Sequence, residues 1–461
     1  MRKNIYGKKN SPLKYLVYII LVIALGAGVF VMLSPQFEQD KPVVEIKNEI
    51  YWNLKKKLDL KISDASGIKF YKITYVDGSK SIDLNTEVLT GDKKQVGIKI
   101  VPPKLDMFYK GKDVFLDIEV IDNSKWNFLE GNKVTKRVKV IIDTKKPVAN
   151  VIENSRYIRR GGSGIVIVKV DDVNLKESYI SFNDKLKFDL IPFYKENYFV
   201  SLIAWDVNIE HFKRISLIAV DKAGNKVITK VPFYTQKLRV KKDNIMIKSS
   251  FIESVSTNVL EQSEINIPVE LPKRFIVQNK IVREKNVNTI KEVALKQMDR
   301  SKVDSFDIKT FKRLRGSRTA AGFAEKRSYL YNGEKIDEAW HLGMDWASVK
   351  QAPIKTSNAG KVIFNEYLGI YGNTIIIDHK MGLSSLYAHT SSQYVNLGDS
   401  VKAKQKIANT GSTGAVMGDH LHFGILVNGT EVNPLEWMDR NWIKNNITST
   451  IKKAKKAIDS K

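Results

Sequence analysis

Nineteen uncharged residues in a row, "YLVYIILVIALGAGVFVML" from Tyr15 to Leu33, leave the N-terminal end of this chain few choices. As a helix the run is about 29 Å long, close to the ~30 Å hydrocarbon thickness of a bilayer. It reads as a single-pass transmembrane anchor over 15–33. Arg2, Lys3, Lys8, Lys9 and Lys14 precede it, so residues 1–14 are expected in the cytoplasm and the bulk of the chain outside the cell (inner) membrane, in the periplasm or its equivalent. A cleaved signal peptide is the competing reading, with small residues at Ala24 to Gly26. The apolar run continues well past that point, and Pro35 discourages cleavage after Ser34. The uncleaved anchor is therefore the expectation.

Composition matters next because it narrows the partners. The 461 residues carry 76 Lys and Arg against 50 Asp and Glu, a net charge of +26. Such a surface attracts a polyanion: nucleic acid, anionic lipid or an acidic wall polymer. An extracytoplasmic location argues against nucleic acid. With no cysteine in the chain, thiolate metal sites and disulfide scaffolds are excluded.

From about Val43 to Tyr234 apolar and polar residues alternate in short bursts, such as "VFLDIEVID" (114–122) and "GIVIVKVDD" (164–172). That is the pattern of antiparallel sheets with one buried face. "GNKVTK" at Gly131 is echoed by "GNKVITK" at Gly224, and "DTKKP" (143–147) reads as a joint. The expectation is two tandem β-sandwich, immunoglobulin-like modules over 43–145 and 146–235. Residues 236–310 change texture and predict a partly helical linker or stalk. Glycine-centred turns then multiply, Asn332-Gly333 being a strong hairpin signal, and predict a compact antiparallel-β domain over 311–438. Residues 439–461 form a basic tail, expected as a frayed, solvated amphipathic helix. The fold class is thus mainly β.

Within the β-domain after residue 311, three clusters hold four of the chain's six histidines: "HLGMD" with His341 and Asp345, "YAH" with His389, and "HLH" with His420 and His422. On an extended segment His420 and His422 point to one face. Imidazole and carboxylate suit zinc, and a catalytic zinc keeps three protein ligands with the fourth position open. Five candidates exceed three ligands, and the surplus reads as acid/base machinery. No glutamate follows His341 as it would in a helical zincin motif, and Gly343 argues against a helix there. Proton transfer therefore falls to histidine.

These clusters, in this order, resemble the lysostaphin/LytM-type zinc endopeptidases that cut peptide cross-links in peptidoglycan. "GNTIIIDH" (372–379), "GDSVKAKQKIANTGSTG" (398–414) and "VNP" (432–434) match as well, and the resemblance covers about Phe311 to Trp437. It implies that His341, Asp345 and His422 hold one zinc ion and that His389 and His420 flank the water and scissile carbonyl. Which of these two is the general base stays open. The implied activity is that of a peptidoglycan DD-endopeptidase, hydrolysing amides of the cross-linking and stem peptides through zinc-activated water. Some relatives have lost ligands and act only as activators of other wall hydrolases, the alternative function. In others the segment before the catalytic domain plugs the zinc, an expectation for 236–312.

The departures from the family pattern, Asp419, Thr390 and Gly424, remove no ligand. Tyr371 and Asn373 in "YGN" are candidate substrate-groove residues. His379 reads as a surface turn histidine, His211 has no role, and Trp340 and Trp346 are expected to pack the floor of the site.

Overall fold

The structure, a computed structural model, describes residues 12–105 and 113–460. The basic residues from Arg2 to Lys9 that set the expected orientation lie outside these. The helix Pro12–Leu33 is long and apolar enough to cross a membrane by length and composition, and none of it is buried.

The remainder is mainly β and falls into two compact units, 1–146 with 221–225, and 147–220 with 226–461. In the first unit a five-stranded sheet runs in the order Glu49–Trp52, Lys133–Ile142, Val114–Asp122, Ile68–Asp77, Lys80–Val88, and a three-stranded sheet joins Val43–Glu45, Leu58–Ser63 and Gln95–Ile100. Alternation does what it promises in Val114–Asp122. Val114, Leu116, Ile118 and Val120 all enter the core with Trp52, Ile62 and Ile98.

The second unit holds the other β-module, the helical segment and the His-bearing domain together. A four-stranded sheet of Ile191–Pro192, Tyr198–Ala204, Ser163–Asp171 and Val148–Asn154 is buried along Ser163–Asp171, where Ile165, Ile167 and Val168 are inaccessible. The tail differs from expectation. Its last helix, Ser449–Asp459, buries Ile451, Ala454 and Ile458 in the same core. The charges of "IKKAKKAID" sit on one face and its apolar residues on the other, which is the pattern of a docked helix.

Residues 236–310 are partly helical, but they do not stand apart as a stalk. Lys241–Met246 pairs in parallel with Glu325–Tyr331, extending the sheet that also contains Glu334–His341. The helical stretches 249–262 and 271–297 bury Val259, Leu260, Val282 and Ile290 against Ile363, Leu368, Ile370 and Leu386 of the His-bearing domain.

That domain is built on a sheet ordered Arg318–Ala321, Met344–Ala347, Leu421–Val427, Leu383–Ala388, Asn373–Asp378, Gly360–Tyr367, Ser400–Val401. Every residue of Leu421–Val427 is buried. One face, with Leu421, Phe423, Ile425 and Val427, joins the large core. Leu426 on the other face joins the cluster under the helical segment. His422 shares that second face, so the helices lie over the side of the sheet that carries the site.

Candidate metal and catalytic site

Three neighbouring strands align the side chains. Asp345 on Met344–Ala347 pairs directly with His422 on Leu421–Val427, and His422 pairs with Ala388 at the end of Leu383–Ala388. His389 follows Ala388 with φ +60°, a left-handed conformation that a non-glycine residue adopts only when its surroundings enforce it. Its backbone N–H donates to the Tyr371 carbonyl at 2.8 Å. His341 ends the strand Glu334–His341, opposite Glu325.

Hydrogen bonds fix the rings. His341 Nδ1 lies 2.7 Å from the Gly322 carbonyl, which can only accept, so Nδ1 carries the proton and Nε2 presents its lone pair. That Nε2 is 3.0 Å from Asp345 Oδ2 and 3.2 Å from His422 Nδ1, while His422 Nδ1 is 2.8 Å from Asp345 Oδ1. Two imidazole nitrogens and a carboxylate oxygen thus converge, all within 4.8 Å of one another. Ligands at about 2.0 Å from a tetrahedral ion are about 3.3 Å apart, so the donor set and its edges suit zinc. His422 Nε2 is buried and has no hydrogen-bond partner, which leaves Nδ1 as the engaged nitrogen.

His389 and His420 stand beside this triad with ring centroids 4.9 Å apart, and His420 Nε2 is 3.8 Å from Asp345 Oδ1. Carbonyls set both tautomers: Thr413 O is 2.8 Å from His389 Nδ1, and Gly418 O is 2.8 Å from His420 Nδ1. Each ring is left with Nε2 as its acceptor. Burial, reinforced by His420 and His422, drives His389 well below the ordinary imidazole range. Burial also takes His422 down to about 4 against the pull of Asp345. Burial alone would raise the Asp345 carboxyl, yet His341 and His422 hold it well below the usual carboxylate range.

All five residues line one cavity of about 240 Å³, and Tyr371 lines it too. Asn373 does not: its side chain donates to the Thr390 carbonyl at 3.3 Å, and it braces the strand ends instead. Tyr371 is buried, its hydroxyl donating to Glu431 at 2.6 Å, and burial raises that carboxyl to about 7. Trp346 is not in the floor. It alternates with Asp345, faces the opposite side of the sheet and stacks on Phe423 at 4.9 Å. Trp340 does not line the cavity either; the Arg160 guanidinium lies 5.4 Å from its ring centre. His379 is no surface residue: it is 6% exposed, bonded to the Ala359 carbonyl and Ser385 Oγ, and burial lowers it to about 4. His211 is exposed and remote in sequence from every residue of the cavity.

Sequence reading missed Arg327 and Gln278. Arg327 Nη2 lies 3.5 Å from Asp345 Oδ2 and 3.7 Å from Glu325, and its Nε is buried without a partner. The signal was available: Glu325, Arg327 and Tyr329 alternate on a strand paired to the one ending in His341. Gln278 lies in the helical segment, at the head of the π-helical turn Gln278–Val282, a backbone device frequent at functional sites. It lines the cavity with Phe251 and Phe275, is 2% exposed, and its Oε1 has no partner. No side chain of the segment hydrogen-bonds His341, Asp345 or His422 among the described residues. The segment walls the cavity.

Comparison with known proteins decides the family of this region, since residues 339–434 match the model of peptidase family M23. The chain carries a peptidase M23 domain. The M23 region is 36% identical over 107 residues to the DD-carboxypeptidase/endopeptidase Mpg of Neisseria meningitidis, covering 23% of this chain and 25% of that one. It is 40% identical over 102 residues to the murein hydrolase activator NlpD of Salmonella dublin, covering 22% and 27%. Among solved structures, the catalytic domain of lysostaphin from Staphylococcus simulans is 29% identical, covering 27% of this chain and 94% of that one, with a TM-score of 0.24. This chain therefore spans about a quarter of the length of the curated relatives it matches.

Proposed function

We propose that this M23 protein is a zinc-dependent peptidoglycan endopeptidase of the DD type, cleaving amides of cross-linking or stem peptides. The observation that carries the reading is the convergence of His341 Nε2, Asp345 and His422 Nδ1 at tetrahedral edge lengths with His389 and His420 alongside.

His341, Asp345 and His422 would hold one Zn²⁺, which when bound polarises a carbonyl and makes water more acidic. The chain's own residues do the rest. With Nδ1 tied to a carbonyl in each case, His389 and His420 offer Nε2 atoms that accept a proton from the attacking water. As the water oxygen bonds to the scissile carbon and the C–N bond breaks, that proton is returned to the leaving amine. The other ring can donate to the substrate oxygen only when Nε2 is also protonated, as the imidazolium. Arg327 Nη2, 3.5 Å from Asp345 Oδ2, places a positive charge beside the ligand carboxylate.

In this reading the Pro12–Leu33 helix is an uncleaved anchor, the β-modules are immunoglobulin-like spacers, and peptidoglycan is the extracytoplasmic substrate. The basic surface suits an acidic polymer or lipid headgroups. The likeness to an NlpD activator supports a second reading, a catalytically silent wall-binding regulator. Mass spectrometry of products from a defined cross-linked muropeptide separates the two. New amine and carboxyl termini at the cross-link support the peptidase. An unaltered substrate with zinc bound and the protein folded supports the regulator.

A further inference from the structure

A cavity of the His-bearing unit lies away from the metal triad and is not used by the proposed reaction. It measures about 880 Å³, and eight of its twenty lining residues are Lys or Arg while none is Asp or Glu. Four of the cations, Lys309, Lys312, Arg313 and Arg315, come from one extended stretch. Arg440 and Lys444 face them from the C-terminal helices. None of the eight takes part in the ion pairs found among the described residues. Like charges gathered around one concavity repel.

The lining between the cations has the opposite character. Its accessible apolar surface comes from Ile308, which is half-buried, and Pro353, which is exposed, with Leu314 and Ile443 at the sides; Trp346, Ile354, Tyr387 and Leu421 close it from beneath, each no more than 2% exposed. Trp346 and Leu421 are cross-strand neighbours one residue from the Asp345 and His422 pair. Strand alternation therefore puts this cavity on the back of the strands whose front carries the metal ligands.

We propose that this cavity binds a lipid with a phosphate headgroup, its acyl portion over Ile308, Pro353 and the aliphatic stems of the Lys and Arg side chains and its phosphate among the rim cations. Cavity and ligand are complementary in two ways at once. Arg and Lys are the natural partners of a phosphate, and the accessible apolar lining gains only from a ligand with an apolar body. A hydrated wall polymer offers carboxylates and hydroxyls but no such body. The volume falls within the ~300–1,000 Å³ of small-molecule sites.

The test uses the full chain in a non-ionic detergent, with native mass spectrometry reading one-to-one binding of dihexanoyl phosphatidic acid below its micellar concentration. Dihexanoyl phosphatidylcholine, inorganic phosphate and soluble wall glycan are competitors. Saturable phosphatidic acid binding is expected, weakened at least about 10-fold in R440E/K444E and in K309E/K312E, and unaffected in K145E/K146E, which makes the same net-charge change elsewhere. Equal binding of phosphatidylcholine, full competition by inorganic phosphate, preference for wall glycan, or unchanged binding by both rim variants with folding intact would each overturn the assignment.

Discussion

His422 Nδ1 and Asp345 Oδ1 are 2.8 Å apart on directly paired residues of adjacent strands, and His341 Nε2 closes the triangle at 3.0 Å from the same carboxylate. A sheet register, not a loop, sets this spacing. Asp345→Asn keeps the shape but removes the charge that a cation would meet. It is expected to lower zinc affinity by at least about 100-fold, since even outer partners of a metal site are worth 10- to 100-fold. Isothermal titration of zinc into metal-stripped protein checks this.

Gly343 makes the same point through sterics. A Cβ there would sit 2.5 Å from His422 Nε2 and 2.7 Å from the Phe423 carbonyl. Gly343→Ala is expected to displace the His422 ring, lowering zinc content while leaving far-ultraviolet circular dichroism unchanged. Full zinc occupancy in the alanine variant would contradict the placement of His422.

Gln278 tests the helical wall, given the peptidase reading. Its unpaired Oε1 is an acceptor available to a substrate N–H. Gln278→Leu is expected to raise KM by roughly 10-fold with kcat nearly unchanged, in line with ~1–3 kcal/mol for an unmade hydrogen bond. A fall in thermal midpoint with unchanged KM would assign Gln278 a packing role only.

Glu436 gives a pH signature. Its carboxylate accepts from the Ser163 N–H at 2.9 Å, and burial raises it to about 7 from the ordinary 4.5, against Ser163 and Arg159. The folded state then binds more protons than the unfolded state between those values. This group's contribution is fully present below pH 4.5 and is lost as pH rises through 7. Glu436→Gln is expected to flatten the decline in stability over that window, by no more than about 1.4 kcal/mol per pH unit. Urea midpoints at pH 5 and pH 7 measure it; parallel curves for the two proteins would refute it.

What could be read in the sequence was whatever rests on local periodicity or on ordered motifs. The two-residue repeat of "VFLDIEVID" places Val114, Leu116, Ile118 and Val120 in the core, and it is visible without any partner strand. His420 and His422 follow the same logic. The failures share a cause: contacts made at long sequence distance. "KKDNIM" has no strand signature, yet Lys241–Met246 pairs with Glu325–Tyr331 because the partner supplies the ladder. His379 looks like a turn residue until Phe311 and Ser385 close over it. Trp346 looks like part of a site because it adjoins Asp345, and alternation sends it to the other face.

In the proposed reaction the two histidines of Gly418–Ile425 divide the work, His422 with the metal and His420 beside it. The decisive measurement is zinc content, by atomic emission, together with peptide release from purified peptidoglycan for His422→Ala and His420→Ala. His422→Ala is expected to lose both zinc and activity. His420→Ala should keep stoichiometric zinc and lose activity by about 10²- to 10⁴-fold. Loss of zinc from His420→Ala with retention in His422→Ala would contradict it.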